Sequence, residues 1–224
     1  MKLGILNNNI AVIFSENVGS SLKTDQIEAK ISTIYSEKTP RTVIAKFPGQ
    51  VSFFIPEVQI SIMVANQMMI VSDQTVGDFS KKDILKFAQL IAGIAEIINK
   101  PAIAYGFNFL YELENSAFQN LATKIQAKFF KPDVQNQAPE NSLSYALPTL
   151  VFPKDTAKIT LKFETIAEAP TAEESNKMNM HANVHYNGNL PTIEVLDSQY
   201  KELEQYISTY ANSIFSERTA DPAL

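Results

Sequence analysis

The sequence predicts an α+β fold, with antiparallel sheet of about eight or nine strands packed with three main helices. Three observations point there. Short segments alternate apolar and polar residues, as in Val58, Ile60, Ile62 and Val64 against Gln59, Ser61 and Met63. Turn signals such as Pro48-Gly49 and Ala65-Asn66-Gln67 separate these segments by too few residues for a parallel crossover, so neighbouring strands run antiparallel. Three stretches carry helical periodicity instead, near residues 79–100, 116–131 and 197–215.

Taken in order, Ile10 to Phe14 reads as a buried strand, and Asn7-Asn8-Asn9 before it admits a tight hairpin. Between Gln26 and Ser36 the apolar residues fit either period, and the alternation of Ile27, Ala29, Ile31, Thr33 and Tyr35 favours a strand. A turn at Lys38 to Arg41, a strand over Thr42 to Phe47, and the meander of Val58–Val64 and Met68–Ser72 follow. Met63, Met68 and Met69 form a cluster suited to gap-filling core or to an interface.

Phe79 to Lys100 is the best-defined helix. Ser80 and Asp83 have the spacing of a capping box, Phe79 and Ile84 that of a hydrophobic staple, Asn99 can take the left-handed cap, and Pro101 prevents continuation. Its small and polar residues (Lys82, Lys86, Gln89, Gly93, Glu96, Lys100) form one narrow stripe. The rest is apolar, so the helix needs cover on two sides. With Lys86, Gln89 and Glu96 inside it, the segment is unsuited to a membrane.

Ala102 to Tyr111 is a strand with large residues (Tyr105, Phe107, Phe109, Tyr111) on one face and mostly small ones on the other. Ser116 and Gln119 open a second helix, and residues 131–142 read as a proline-interrupted linker. The second half offers strands over Leu143–Phe152, Ala157–Ile166 and Met178–Asn187, an acidic loop with Glu168, Glu173 and Glu174, and a helix capped by Asp197 or Ser198. These elements divide the chain into residues 1–131 and 143–217, two halves sharing one core, with a frayed tail at 218–224. Each half ends with a strand leading into an amphipathic helix, the rhythm of a degenerate duplication.

Composition narrows the function. The 224 residues include no cysteine, which removes disulfides, thiol catalysis and Cys-ligated metals, and with no signal peptide at the N-terminus a cytoplasmic location is expected. Net charge is −5, with 10 basic and 10 acidic residues up to Glu112 and the acidic excess beyond it. Nucleic acid is therefore a poor expectation, since phosphate binding draws on clustered Lys and Arg. Tyr105, Phe107, Phe109 and Tyr111 could form a base-stacking platform, but such rows ordinarily lie in a core beneath a helix.

His181 and His185 have the spacing of a helical zinc pair. On a strand they sit roughly 13 Å apart, at about 3.3 Å per residue, and one metal cannot bridge them. No metal or cofactor is expected. The row Asn179, His181, Asn183, His185, Asn187 is a solvated sheet face or a hydrogen-bonding surface, with His181, Asn183 and His185 as candidate partner- or ligand-binding residues. No nucleophile, orienting carboxylate or phosphate-binding glycine loop accompanies them. The expected function is a non-enzymatic, self-associating protein-binding factor whose partner is another protein or its own subunits. The alternative is a small-molecule binder or enzyme with a pocket near strand 179–187.

Overall fold

The computed structural model describes residues 2–19, 22–35, 41–44, 49–77, 79, 82–115, 121–129, 147–166 and 176–215. Within these residues the elements are β1 (Lys2–Phe14), α1 (Thr24–Ile34), β2 (Arg41–Ile44), β3 (Gln50–Ile55), β4 (Ile60–Ala65), β5 (Met68–Asp73) and α2 (Ile84–Ile98). They continue with β6 (Ala102–Glu114), α3 (Leu121–Phe129), β7 (Thr149–Lys154), β8 (Ala157–Thr165), β9 (Lys177–Asn187) and a long last helix, α4 (Ile193–Phe215). The fold is α+β, as the patterning predicts. All nine strands join one antiparallel sheet in the order β2-β3-β4-β5-β1-β6-β9-β8-β7.

The two parts of the chain meet where β6 pairs with β9 from Ala104↔Asn187 to Glu114↔Lys177. Gly106 makes this pairing close, because a Cβ there would stand 2.8 Å from the Val184 carbonyl oxygen. The small residue in the aromatic strand is therefore a packing requirement of its neighbour.

One alternating set of side chains from every fully described strand except β7 is buried, including Ile10, Val12, Phe53, Ile62, Val71, Phe107, Phe109, Ile159, Met180 and Val184. The helices cover this face. Tyr200 of α4 stacks on Phe107, Phe109 and Phe87 with ring centroids 5.3, 5.2 and 5.9 Å away. α2 packs between α1 and α4, which supplies the cover on two sides that its apolar circumference demands. α3 is tied to the end of α4, where Lys128 donates to the Ser213 carbonyl at 3.2 Å and to that of Ile214.

Four local expectations change. The segment from Thr24 is a helix, not a strand: Ile27 and Ile31 are both buried, and that pair four apart makes a stripe on α2. Strand β1 runs unbroken through Asn7-Asn8-Asn9, with a bulge between Ile5 and Asn7 instead of a hairpin, because β6 pairs along its whole length. Helix α2 starts at Ile84 with Asp83 as its cap, the carboxylate accepting from the Lys86 N–H at 3.2 Å, and Phe79 packs on Tyr200 and Phe109. Helix α4 begins a turn early, its first bond running from the Leu196 N–H to Thr192. Asp197 and Ser198 lie inside it, bonded to Lys201 at 2.7 Å and Glu202 at 2.6 Å. Asn99 does close α2 in the left-handed conformation, at φ 53°. Ser80, the Ser116–Gln119 pair, the linker 131–142, Glu168, Glu173, Glu174 and the tail 218–224 lie outside the described residues.

Candidate partner-binding face

Period two places the remaining side chains of the fully described strands on the opposite face of the sheet, over which no described helix packs. Strand register assembles them into rows. One row crosses the sheet as Phe54, Ser61, Ser72, Asn9, Asn108, Asn183, Thr160 and Val151. Beside it run Ser52, Met63, Ile70, Ala11, Gly106, His185 and Lys158. The next comprises Gln50, Ala65, Met68, Ile13, Ala104 and Asn187.

The first row contains an asparagine ladder. The Asn108 carboxamide donates to Asn9 Oδ1 at 2.7 Å, and that of Asn183 donates to Asn108 Oδ1. Each carboxamide thus keeps hydrogen-bonding capacity free for a second molecule, having two donors and a two-lone-pair acceptor in all. A depression of about 240 Å³ beside the ladder is bordered by Asn7, Asn9, Asn108, Leu110, His181 and Asn183.

The three residues singled out by sequence share this face but do not converge. His181 Nε2 lies 2.9 Å from Glu164 Oε2, while the Lys162 ammonium holds the other oxygen of that carboxylate at 2.5 Å. The hydrogen bond from Lys162, followed by the charge of His181, keeps the Glu164 carboxyl below its ordinary range. His185 sits opposite Lys158 and approaches Asn187 Oδ1 at 3.1 Å, away from the depression. No group of three or more metal-ligating side chains occurs among the described residues.

The methionine cluster divides between the two faces. Met69 is fully buried under the helices, whereas Met63 and Met68 sit on the helix-free face with Ile70, Ile13 and Phe54, all half-buried. Sequence alternation could have located this apolar block, since Met63 and Ile70 alternate with buried Ile62, Val64, Met69 and Val71. The aromatic row Tyr105, Phe107, Phe109 and Tyr111 faces the other way and is buried. It is core and presents no base-stacking platform.

On the helix side, tyrosines link β6, β9 and α4. Tyr105 and Tyr186 stack with centroids 4.9 Å apart, and the Tyr105 hydroxyl donates to Gln199 at 3.1 Å. Burial raises both phenols, and with the neighbouring Tyr105 it pushes Tyr186 up to about 12. No helix among the described residues is long and apolar enough to cross a membrane.

No protein-family model matches the chain, and no curated protein matches it. The solved structure of Methanococcus jannaschii TBP is similar to it with a TM-score of 0.34 and 11% identity, over 95% of this chain and 99% of that one. At that score the likeness assigns neither family nor function.

Proposed function

We propose that the chain is a non-enzymatic, cytoplasmic protein-binding factor of the adaptor, inhibitor, immunity or chaperone-like kind, and that it self-associates through the helix-free face of its sheet. The observation that carries this reading is the block of Phe54, Met63, Met68, Ile70 and Ile13 beside the asparagine ladder, on a face over which no described element packs. A merely solvated sheet face is polar, and contiguous apolar area on a surface marks an interaction site.

Size supports a second copy as the occupant. Nine strands span eight spacings, about 38 Å at ~4.8 Å each, and six residues along a strand add about 20 Å. The product is of order 800 Å², the area each partner gives to an interface of standard size.

Native mass spectrometry with light scattering on the full chain tests the proposal. A dimer is expected, together with its conversion to folded monomer by Ile70→Glu or Met63→Lys. A wild-type protein that stays monomeric at tens of micromolar, or a dimer indifferent to both substitutions, refutes it. The alternative, a small-molecule pocket at the Asn/His strand, draws only on His181 and Asn183, because His185 lies outside the depression. It predicts ligand binding lost in Asn183→Ala with the oligomeric state unchanged.

A further inference from the structure

A second cavity, on the helix side and distant from the face just described, has the make-up of a ligand site. It occupies about 340 Å³ between Tyr35 at the end of α1, the end of β5, and the start of α2. Val58, Ile60 and Phe87 form apolar walls, and Asp73, Thr75, Lys82, Asp83 and Lys86 supply the polar lining. That volume lies within the roughly 300–1,000 Å³ of small-molecule sites, and a few polar groups on an apolar wall is their usual composition.

Hydrogen-bond accounting identifies the chemistry that is left over. The Lys82 ammonium, whose side chain is only 5% exposed, has three N–H groups and three acceptors: Asp73 Oδ2 at 2.9 Å, Thr75 O at 2.7 Å and Thr75 Oγ1 at 2.8 Å. It has no donor left for an incoming anion. Asp73 Oδ1 receives the Thr75 N–H at 2.8 Å and the Thr75 hydroxyl. Asp83 caps α2 through Oδ1 and pairs with Lys86 through Oδ2 at 3.2 Å, at a surface where half-exposed side chains exchange partners readily. The capacity in excess of these bonds is the lone pairs of Asp73 and Asp83 and the Tyr35 hydroxyl, together with N–H groups of the half-exposed Lys86 ammonium. Burial first, then the negative charges of Asp83 and Asp73, raise the Tyr35 phenol far above its ordinary range, so the field at that oxygen disfavours a further negative charge.

We propose that this cavity binds a small organic ammonium, its N–H donors meeting Asp83 and the Tyr35 oxygen and its apolar body lying on Val58, Ile60 and Phe87. A carboxylate or phosphate of the same size finds Lys82 already spent and Lys86 shared with Asp83, and it meets the like charges of Asp73 and Asp83. The site is separate from the sheet face and does not depend on the self-association proposed for it.

Calorimetric titration of the full chain with phenethylammonium, and in parallel with 3-phenylpropanoate, tests the assignment near pH 7. The two probes share a ring and a short linker and differ in the sign of the head group. The ammonium should bind at least tenfold more tightly than the carboxylate. Tyr35→Phe, which keeps the ring, and Asp83→Asn, which keeps a helix cap, should each weaken it at least fivefold. Asn108→Ala on the opposite face should leave it unchanged. The proposal fails if the ammonium does not bind at millimolar concentration, if the carboxylate binds as well or better, or if both cavity variants retain wild-type affinity while folded. Loss of ammonium binding in Asn108→Ala with fold intact would also overturn it, by placing the ligand on the sheet face.

Discussion

The contact that joins the ends of the chain most directly is the hydrogen bond from the Asn8 carboxamide on β1 to the Tyr200 hydroxyl on α4, both fully buried. Asn8 Oδ1 has no hydrogen-bond partner among the described residues. Tyr200→Phe leaves the Asn8 N–H groups buried without an acceptor, and Asn8→Leu leaves the phenol without its partner. Each should cost about 1–3 kcal/mol, the penalty of an unsatisfied buried polar group. Together they remove both partners and the unpaired carbonyl as well, so the double variant should lie within about 1 kcal/mol of wild type or above it. The coupling is then at least about 1 kcal/mol. Urea denaturation of all four proteins, with m unchanged, measures it. Losses that add to within about 0.5 kcal/mol would refute the reasoning, because additivity at that level is the behaviour of sites that do not interact.

Other outcomes follow from particular packing and charge environments. Ile91→Asp places a carboxylate at a position of zero exposure in α2 and should abolish cooperative folding, at a cost of several kcal/mol; a soluble, folded variant in circular dichroism would mean this face is not buried. Gly106→Ala should cost about 1–3 kcal/mol by driving a methyl against the Val184 carbonyl, read as a drop in urea midpoint. Gly93→Ala should be neutral or stabilising by up to about 1 kcal/mol, since its Cβ meets only the flexible end of Lys30 and alanine favours the helix. Its destabilisation by more than that would show that Lys30 cannot move. Alkali should unfold the protein: Tyr186 stands at about 12 against an ordinary value of 10, and burial raises Tyr111 and Tyr200 well above that ordinary value too. The folded state then holds protons that the unfolded state releases, so stability falls as pH climbs through about 10 towards 12. The absorbance of the buried tyrosines and the circular dichroism should change together in that window; ionisation of all eight tyrosines near pH 10 with the fold intact would contradict it.

Sequence periodicity reached the elements whose signal is one-sided. Strand β8 alternates Ile159, Leu161 and Phe163 with Lys158, Thr160 and Lys162 so regularly that one assignment survives, and Asn99-Lys100-Pro101 ends α2 where it does end. Thr24–Ile34 was ambiguous because β-branched residues at 27, 31, 33 and 34 fit both periods, and the deciding partner, α2, lies some sixty residues away. The hairpin suggested by three asparagines fails for a similar reason. Asn8 enters the core only because Tyr200 waits there, nearly two hundred residues downstream. The candidate face was half legible. The Asn/His row is visible in β9 alone, but the asparagine ladder draws Asn9, Asn108 and Asn183 from three strands, and only register aligns them.

That register also gives the face an internal order that a solvated surface does not need. Met63, Ile70 and Ala11 lie beside Ala65, Met68 and Ile13 in two adjacent rows, and β6 continues them with Gly106 and Ala104. The asparagine row borders this block on one side, while the charged residues Lys158, Lys162 and Glu164 stand at the β8 end of the face. An interface places its apolar residues centrally and its polar and charged residues at the rim, where water still reaches them. A two-fold axis running across the strands between the two apolar rows would set Met63 and Ile70 of one copy over Ala65 and Met68 of the other, large against small and branched against flexible. An axis parallel to the strands and centred on the middle strand, β1, would instead lay Met63 over His185 and Ser52 over Lys158. Under the proposed self-association, the first arrangement sets apolar residue against apolar residue, and it is the geometry expected of the dimer.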